Sequence, residues 1–188
     1  GWIKDAARPL YTSFYNAFWL EHDINEIKIF TADSSFAHWV SGIEKAESTG
    51  YLVLDKEYLR PAEVYFNETL INGMVRPKGH GDDHFNSKYW SYRINISEGD
   101  ILGHNKLSVH RPVARNNHHE YLWHFVLDQE GIMNVKLDFA HVQVNDEDLG
   151  LYSTEEHYGT SFLANRGLEN GFVLRYDLEH RWKCVLGD

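Results

Sequence analysis

One stretch near the middle of the chain combines positive side chains with a glycine-rich loop. The cations are Lys78, Lys88, Arg93 and Arg115, and the loop includes Gly79. Backbone amides of glycines can approach an anion closely, and lysine and arginine neutralise its charge. Flexible backbone beside concentrated charge is typical of binding sites. The spacing therefore predicts a pocket for an anionic group, built from two strands, the loop between them and the start of the following helix.

The same loop also contains side chains that ligate metals. His80, Asp83 and His84 lie within one short run. A second candidate pair, His119 and His124, is spaced five apart, whereas two zinc ligands on one helix face are four apart. The single cysteine supplies no thiolate set. We predict no metal site in this chain and keep the His80, Asp83 and His84 loop as an alternative.

A third group of titratable residues lies near the end of the chain. Glu155, Glu156 and His157 are consecutive, and they fall at the start of a predicted helix. Consecutive residues on a helix point in different directions, so at most two of them can act together. Glutamates at a helix start also interact favourably with the helix dipole, which is the simpler interpretation.

Hydrophobic periodicity predicts the elements that position these residues. Alternating or short apolar runs predict strands at residues 24–30, 51–54, 60–66, 69–75, 89–96, 106–110, 135–144, 149–154 and 171–176. Helical spacing predicts helices at residues 35–47, 115–129 and 155–166. This order predicts the α+β class, with a mixed, largely antiparallel sheet and a few packed helices.

Composition limits the classes of function. The chain has 188 residues, 43% of them hydrophobic, which is enough for one well-packed domain. Its formal net charge is −10, which argues against general binding of nucleic acid. A single cysteine excludes an internal disulfide. No apolar run reaches the roughly 20 residues needed to span a bilayer, and no signal peptide is evident.

The first 22 residues have a composition of their own. Tyr11, Phe14, Tyr15, Phe18 and Trp19 lie three and four positions apart, which predicts a helical segment docked on the domain. An amphipathic segment that lies on a membrane surface is the alternative. The chain begins at Gly1 and not at methionine, so we expect it to be part of a longer protein.

An ordered series of short motifs resembles the CotH-like family, that is, spore coat protein H and its relatives. The match runs over roughly residues 24–177. Its motifs are Arg76-Pro-Lys78-Gly79, Asp83-His84, Trp90-Ser91-Tyr92-Arg93, Pro112-Val-Ala-Arg115, Glu120 with His124, and Gly150-Leu-Tyr152-Ser-Thr-Glu155-Glu156-His157. Two positions depart from the pattern, because Leu107 replaces a phenylalanine and Asp146 replaces a glycine.

The resemblance implies an atypical protein kinase, of which residues 1–188 form a single N-terminal lobe. It implies that ATP and Mg²⁺ are the cofactors and that a cation on a strand pairs with a glutamate on a helix, as in protein kinases. The implied nucleotide-binding residues are Lys78, Gly79, Lys88, Arg93, Arg115 and Glu120.

In CotH-like proteins the catalytic aspartates belong to a C-terminal half. We therefore assign no catalytic residue and expect the chain to be incomplete for phosphoryl transfer on its own. A missing C-terminal lobe or a protein acceptor is the implied partner. A bacterial cell-surface or spore-coat location, outside the cytoplasm, is also implied.

Two functional hypotheses follow from the sequence. The first is a lobe that binds nucleotide phosphates. The alternative is a non-catalytic module for assembly or for binding protein or glycan in a surface or coat protein. That module would use exposed aromatic side chains, for which the candidates are Trp2, Trp19, Trp39 and Trp182.

Overall fold

The computed structural model describes residues 24–52, 56–85 and 88–174. Within these ranges the strands are β1 Asn25–Phe30, β2 Arg60–Phe66, β3 Thr69–Pro77, β4 Tyr92–Ile96, β5 Lys106–His110, β6 Leu137–Val144 and β7 Glu147–Glu156. The α-helices are α1 Asp33–Thr49, α2 His119–Gln129 and α3 Thr160–Ala164. Short 3₁₀ turns occur at Lys56–Tyr58, Asp82–His84 and Pro112–Arg115.

The strands form a closed barrel in the order β1-β2-β3-β4-β5-β7-β6. Every neighbouring pair is antiparallel except β1 with β6, which are parallel and close the barrel. The predicted α+β class, with a mixed, largely antiparallel sheet and packed helices like a kinase N-terminal lobe, is therefore wrong. Alternation along a strand predicts which of its faces is buried. It carries no signal for the pairing of Asn25 with Ala140, which are remote in sequence.

The core fills the interior of this barrel. Each strand contributes alternate side chains, which include Ile27, Ile29, Val64, Val75, Ile94, Leu107, Val109 and Val142, all at 1% exposure or less. Alternation along residues 89–96 predicts that Tyr92 and Ile94 face the core and that Arg93 lies on the other face, and only the first two belong to the core cluster. The outward positions of β4 and β5 carry polar residues that are themselves buried, since Arg93, Ser108 and His110 are 8%, 0% and 0% exposed.

Helix α1 completes the core. Its Trp39 is fully buried, lies 6.0 Å from the ring of Tyr92, and donates from Nε1 to the carbonyl of Tyr58 at 2.8 Å. The helix ends at Gly50, whose φ of 74° is readily adopted by glycine. Phe36, which lies one turn before Trp39 on the helix, stacks on Trp90. Burial of these aromatic rings fixes the helix against the barrel.

Several predicted elements differ from those observed. Residues 155–156 continue strand β7, and the helix that was predicted for 155–166 is limited to Thr160–Ala164. The glutamates favour a helix locally, but pairing of Glu155 with Ser108 and Leu137 overrides that preference. Residues 51–52 and 171–174 belong to no strand.

The N-terminal prediction lies outside the described residues, because residues 1–23 are not among them. In the described part of the chain, no helix combines the length and apolar character required to cross a membrane.

Candidate basic site on the barrel surface

Strands β3, β4, β5 and β7 carry a group of polar side chains on the outside of the barrel. These positions alternate with core residues such as Val75, Ile94 and Leu107. We call the group the basic face, and its members are Arg76, Lys78, Arg93, Lys106, Ser108, His110 and Glu155. Lys78 follows the last residue of β3, and its amide still bonds to the carbonyl of Ser91 at 2.7 Å.

The centre of the basic face is a row of four residues in direct register. Arg76 lies opposite Arg93, Arg93 lies opposite Ser108, and Ser108 lies opposite Glu155. Like charges that face each other across neighbouring strands repel. Arg93 is also only 8% exposed, so water screens its charge poorly. Nη1 of Arg76 donates to the carbonyl of Pro77 at 3.0 Å, and Nη1 of Arg93 lies 2.5 Å from Nδ1 of His157. The two arginines concentrate positive charge at the centre of the basic face.

A second row lies beside the first and contains Lys78 and His110. Nε2 of His110 lies 2.9 Å from Nζ of Lys78 and 2.9 Å from Oε2 of Glu155. When Nε2 carries a proton it can donate to the carboxylate, and it cannot then accept from the ammonium. When Nε2 is unprotonated it can accept from Lys78, and it then faces the carboxylate without a proton between them. Nε2 of His110 can therefore form only one of these two hydrogen bonds at a time.

The loop before β4 holds this row in place. His84 Nδ1 lies 3.0 Å from the hydroxyl of Ser91, which also accepts from the amide of Arg111 at 3.2 Å. Ser91 has no exposed surface, so it orders the loop and is not placed to attack a substrate. Gly79 has a φ of 100°, and a Cβ there would overlap the ring of His84. Glycine is thus required both by backbone conformation and by space.

The alternative metal site does not assemble. The ring of His80 stacks on Tyr51, and its Nδ1 lies 3.2 Å from the carbonyl of Leu52, whereas His84 contacts Ser91. Within residues 24–52, 56–85 and 88–174, no three histidine, cysteine, aspartate or glutamate side chains come close enough to hold an ion.

The six predicted nucleotide-binding residues lie on several different elements. Lys78 and Arg93 belong to the basic face, and Gly79 adjoins it. Lys88 instead forms an ion pair with Glu147 at 2.7 Å, and the two side chains are 64% and 55% exposed.

The other two predicted residues lie on the elements that follow β5. Arg115 ends the 3₁₀ turn Pro112–Arg115. Glu120 lies in the first turn of α2, where its Oε1 is 4.0 Å from Nε2 of His124.

Five members of the basic face were absent from the sequence prediction of the site. Lys106, Ser108 and His110 alternate along the strand that was predicted at residues 106–110, and Arg76 directly follows the strand predicted at 69–75. Alternation alone would have identified their face. Glu155 had been placed at a helix start with Glu156. In the structure these glutamates lie on opposite faces of β7, because successive side chains of a strand alternate.

Glu156 belongs to a separate buried network at the side of a cavity of about 540 Å³. Its carboxylate is fully buried and accepts from both terminal nitrogens of Arg166, at 2.9 and 2.7 Å. Arg166 also donates to the carbonyls of Phe162 and Asn134. The terminal nitrogens of Arg166 are therefore engaged in holding α3 to the barrel.

His104 completes this network. Its Nδ1 lies 3.3 Å from Oε1 of Glu156. Burial is the main influence on its ring and lowers the pKa of His104 below the ordinary value of 6.5, and Glu156 partly opposes this effect. The contacts of this network stabilise the attachment of α3 to the barrel.

Comparison of the chain with protein-family models and with the sequences of curated proteins gave no match. The resemblance to CotH-like proteins therefore stays a prediction drawn from the motifs.

Proposed function

We propose that this chain binds the phosphate groups of a nucleotide on its basic face. The observation that supports the proposal is the direct pairing of Arg76 with Arg93 across β3 and β4, with Arg93 largely buried. Two guanidinium groups at facing positions of neighbouring strands concentrate positive charge, which attracts an anionic ligand. Phosphate suits the site because guanidinium donors match the geometry of its oxygens.

The distribution of charge supports the same proposal. The seven side chains of the basic face include four cations and one carboxylate, a formal sum of 4 − 1 = +3, in a chain whose net charge is −10. A basic area on an acidic protein concentrates anions locally and leaves nucleic acid repelled by the remaining surface. The proposed ligand is therefore a small polyphosphate and not a nucleic acid.

The nucleotide part of the proposal comes from the CotH-like motifs, which include Lys78, Gly79, Arg93 and Arg115. The proposal covers binding alone. Phosphoryl transfer also needs a catalytic base and Mg²⁺ ligands, which the resemblance places in the C-terminal half of CotH-like proteins. A protein acceptor would belong to that longer system.

Calorimetry tests the proposal directly. We expect heat of binding with Mg-ATP and with tripolyphosphate, and none with adenosine, because the phosphates provide the contacts. Lys78→Met and Arg76→Met should each weaken binding at least tenfold, the equivalent of about 1.4 kcal/mol. Lys88→Met is the matched control, because Lys88 is a solvent-exposed lysine paired with Glu147. Equal weakening by Lys88→Met, or no heat with either phosphate compound, would contradict the proposal.

The rival function is a non-catalytic module that assembles with other proteins. Trp39, one of the aromatics assigned to it from sequence, is fully buried and cannot contribute. Trp2, Trp19 and Trp182 lie outside the described residues. The observation that favours the rival is different: Trp123, Phe172 and Leu174 are 62%, 81% and 86% exposed. Absence of nucleotide binding together with stable capture of a coat or surface protein would favour this function.

A further inference from the structure

An arginine follows β5 at one end of the barrel, next to a buried tyrosine. Val109 of β5 faces the core, and Arg111 is the next residue of that alternating set. Its φ of −58° and ψ of 144° are extended, so the chain continues the course of β5 through this residue. In the antiparallel pairing of β5 with β7, His110 lies opposite Ser153. The next facing positions of this register are therefore Arg111 and Tyr152.

Each of these two residues has a buried polar atom without a partner. The atoms are Nη1 of Arg111 and the hydroxyl oxygen of Tyr152, and neither has a hydrogen-bond partner among the residues that the structure describes. Tyr152 is 1% exposed and belongs to the core cluster. Buried polar groups are normally paired, because an unpaired group loses its hydration and gains no bond. Two such groups at neighbouring positions indicate a site for a ligand that accepts hydrogen bonds.

The charges at these two positions determine which kind of ligand fits. Burial raises the pKa of the Tyr152 phenol above its ordinary value, and the positive charge of Arg111 partly opposes this effect. The phenol is therefore protonated at neutral pH and can donate a hydrogen bond. Arg111 is charged and can only donate. Two donors and one positive charge match an acceptor that carries one negative charge.

We propose that Arg111 and Tyr152 bind a small monocarboxylate. One oxygen of the ligand accepts from Nη1 of Arg111 and the other from the hydroxyl of Tyr152, and the carboxylate neutralises the guanidinium. A phosphate matches this site less well, because its additional oxygens and charge require more donors than these two residues supply. Arg111 as a whole is partly exposed, so a ligand can approach its guanidinium from the solvent.

Urea unfolding in a buffer free of small carboxylates tests whether the two groups are unpaired. Replacing an unpaired buried polar group with an apolar group of similar shape removes a desolvation cost and breaks no bond. Arg111→Met and Tyr152→Phe should therefore leave the urea midpoint unchanged or raise it. Arg166→Met, which removes four hydrogen bonds, should lower it. A lower midpoint for Arg111→Met or Tyr152→Phe, or failure of either variant to fold, would overturn the proposal, because the groups would then have partners within the chain.

Saturation-transfer NMR of the full chain with acetate tests binding. The unmodified protein should transfer saturation to acetate. Arg111→Met and Tyr152→Phe should each weaken acetate binding roughly tenfold, because each removes a hydrogen bond to a charged group. Arg60→Met is the matched control, since Arg60 lies at the start of β2 and its loss should leave acetate binding unchanged.

Three results of this experiment would contradict the proposal. Absence of an acetate signal, or equal affinity in Arg111→Met, would mean that only water pairs with the two groups. Chloride that displaces acetate at equal concentration would show that the site is not specific for a carboxylate.

The same titrations distinguish this site from the basic face. Lys78→Met should retain acetate binding, and Arg111→Met should retain Mg-ATP binding. If either variant lost both ligands, one site would bind both of them, and the proposal of a second site would be wrong. Failure of Mg-ATP to bind the unmodified protein would contradict the proposed function and leave the acetate result standing.

Discussion

Replacing Arg166 with methionine should destabilise the protein far more than breaking a surface ion pair of the same length. Arg166 makes four hydrogen bonds: two to Glu156 and one each to the carbonyls of Phe162 and Asn134. The Glu156 side chain is 0% exposed and the Arg166 side chain is 17% exposed. Removing the arginine leaves a buried carboxylate without its cation.

The magnitude follows from burial. Breaking one side of a buried ion pair costs about 3–5 kcal/mol, because the remaining charge cannot regain its water. Lys88 and Glu147 are also 2.7 Å apart, but their side chains are 64% and 55% exposed. An exposed pair of this kind contributes roughly 0–1 kcal/mol. The two pairs have the same nitrogen–oxygen distance, but they differ in exposure and in the number of hydrogen bonds that the cation makes.

Urea unfolding followed by tryptophan fluorescence measures both effects. We expect Arg166→Met to lower the free energy of unfolding by about 3–5 kcal/mol and Lys88→Met by at most about 1 kcal/mol. The double variant Arg166→Met with Glu156→Gln should recover part of the loss, since it removes the buried charge as well. If Arg166→Met fails to fold, Arg166→Lys keeps the charge but loses the planar fork, and should fall between the two. Similar losses for Arg166→Met and Lys88→Met would refute the reasoning.

Three further predictions follow from single residues. The lowered pKa of His104 means that the unfolded chain binds a proton more readily, so stability should fall as pH drops below about 6.5. His104→Gln should reduce the change in urea midpoint between pH 7.5 and pH 5.5. A change in midpoint equal to that of the unmodified protein would contradict this. Glu155→Gln should strengthen Mg-ATP binding, by roughly fivefold if it removes a repulsion of about 1 kcal/mol, and weaker binding in calorimetry would count against the proposed site. Gly79→Ala should destabilise the protein more than Gly99→Ala. Both glycines have a positive φ, but only a Cβ at position 79 would overlap a side chain, that of His84. Equal urea midpoints for the two variants would contradict this prediction.

The sequence predicts most strands correctly because their core residues alternate. Strands β2 to β6 lie close to their predicted positions, and Ile94 belongs to the core cluster as alternation predicts. Such predictions succeed because one face of each strand is buried and the pattern is local. Closure of the barrel could not be predicted in this way, because β1 and β6 are remote in sequence and no local pattern encodes their pairing.

The candidate site was predicted in part for the same reason. Lys78 and Arg93 are close to each other in space because β3 and β4 are neighbours both in sequence and in the sheet. Glu155 reaches the same face through the pairing of β5 with β7, which skips a strand. Lys88 was grouped with the other cations by proximity in sequence, but its ion pair with Glu147 holds it at the surface.

The most direct test of phosphate binding on the basic face is side-chain NMR of the full chain labelled at arginine. Addition of Mg-ATP should shift the Nε–Hε signals of Arg76 and Arg93, which lie opposite each other on β3 and β4. The signal of Arg60, at the start of β2, should stay in place. Shifts of all three signals to the same degree, or no shift of Arg76 and Arg93 at saturating nucleotide, would contradict the account.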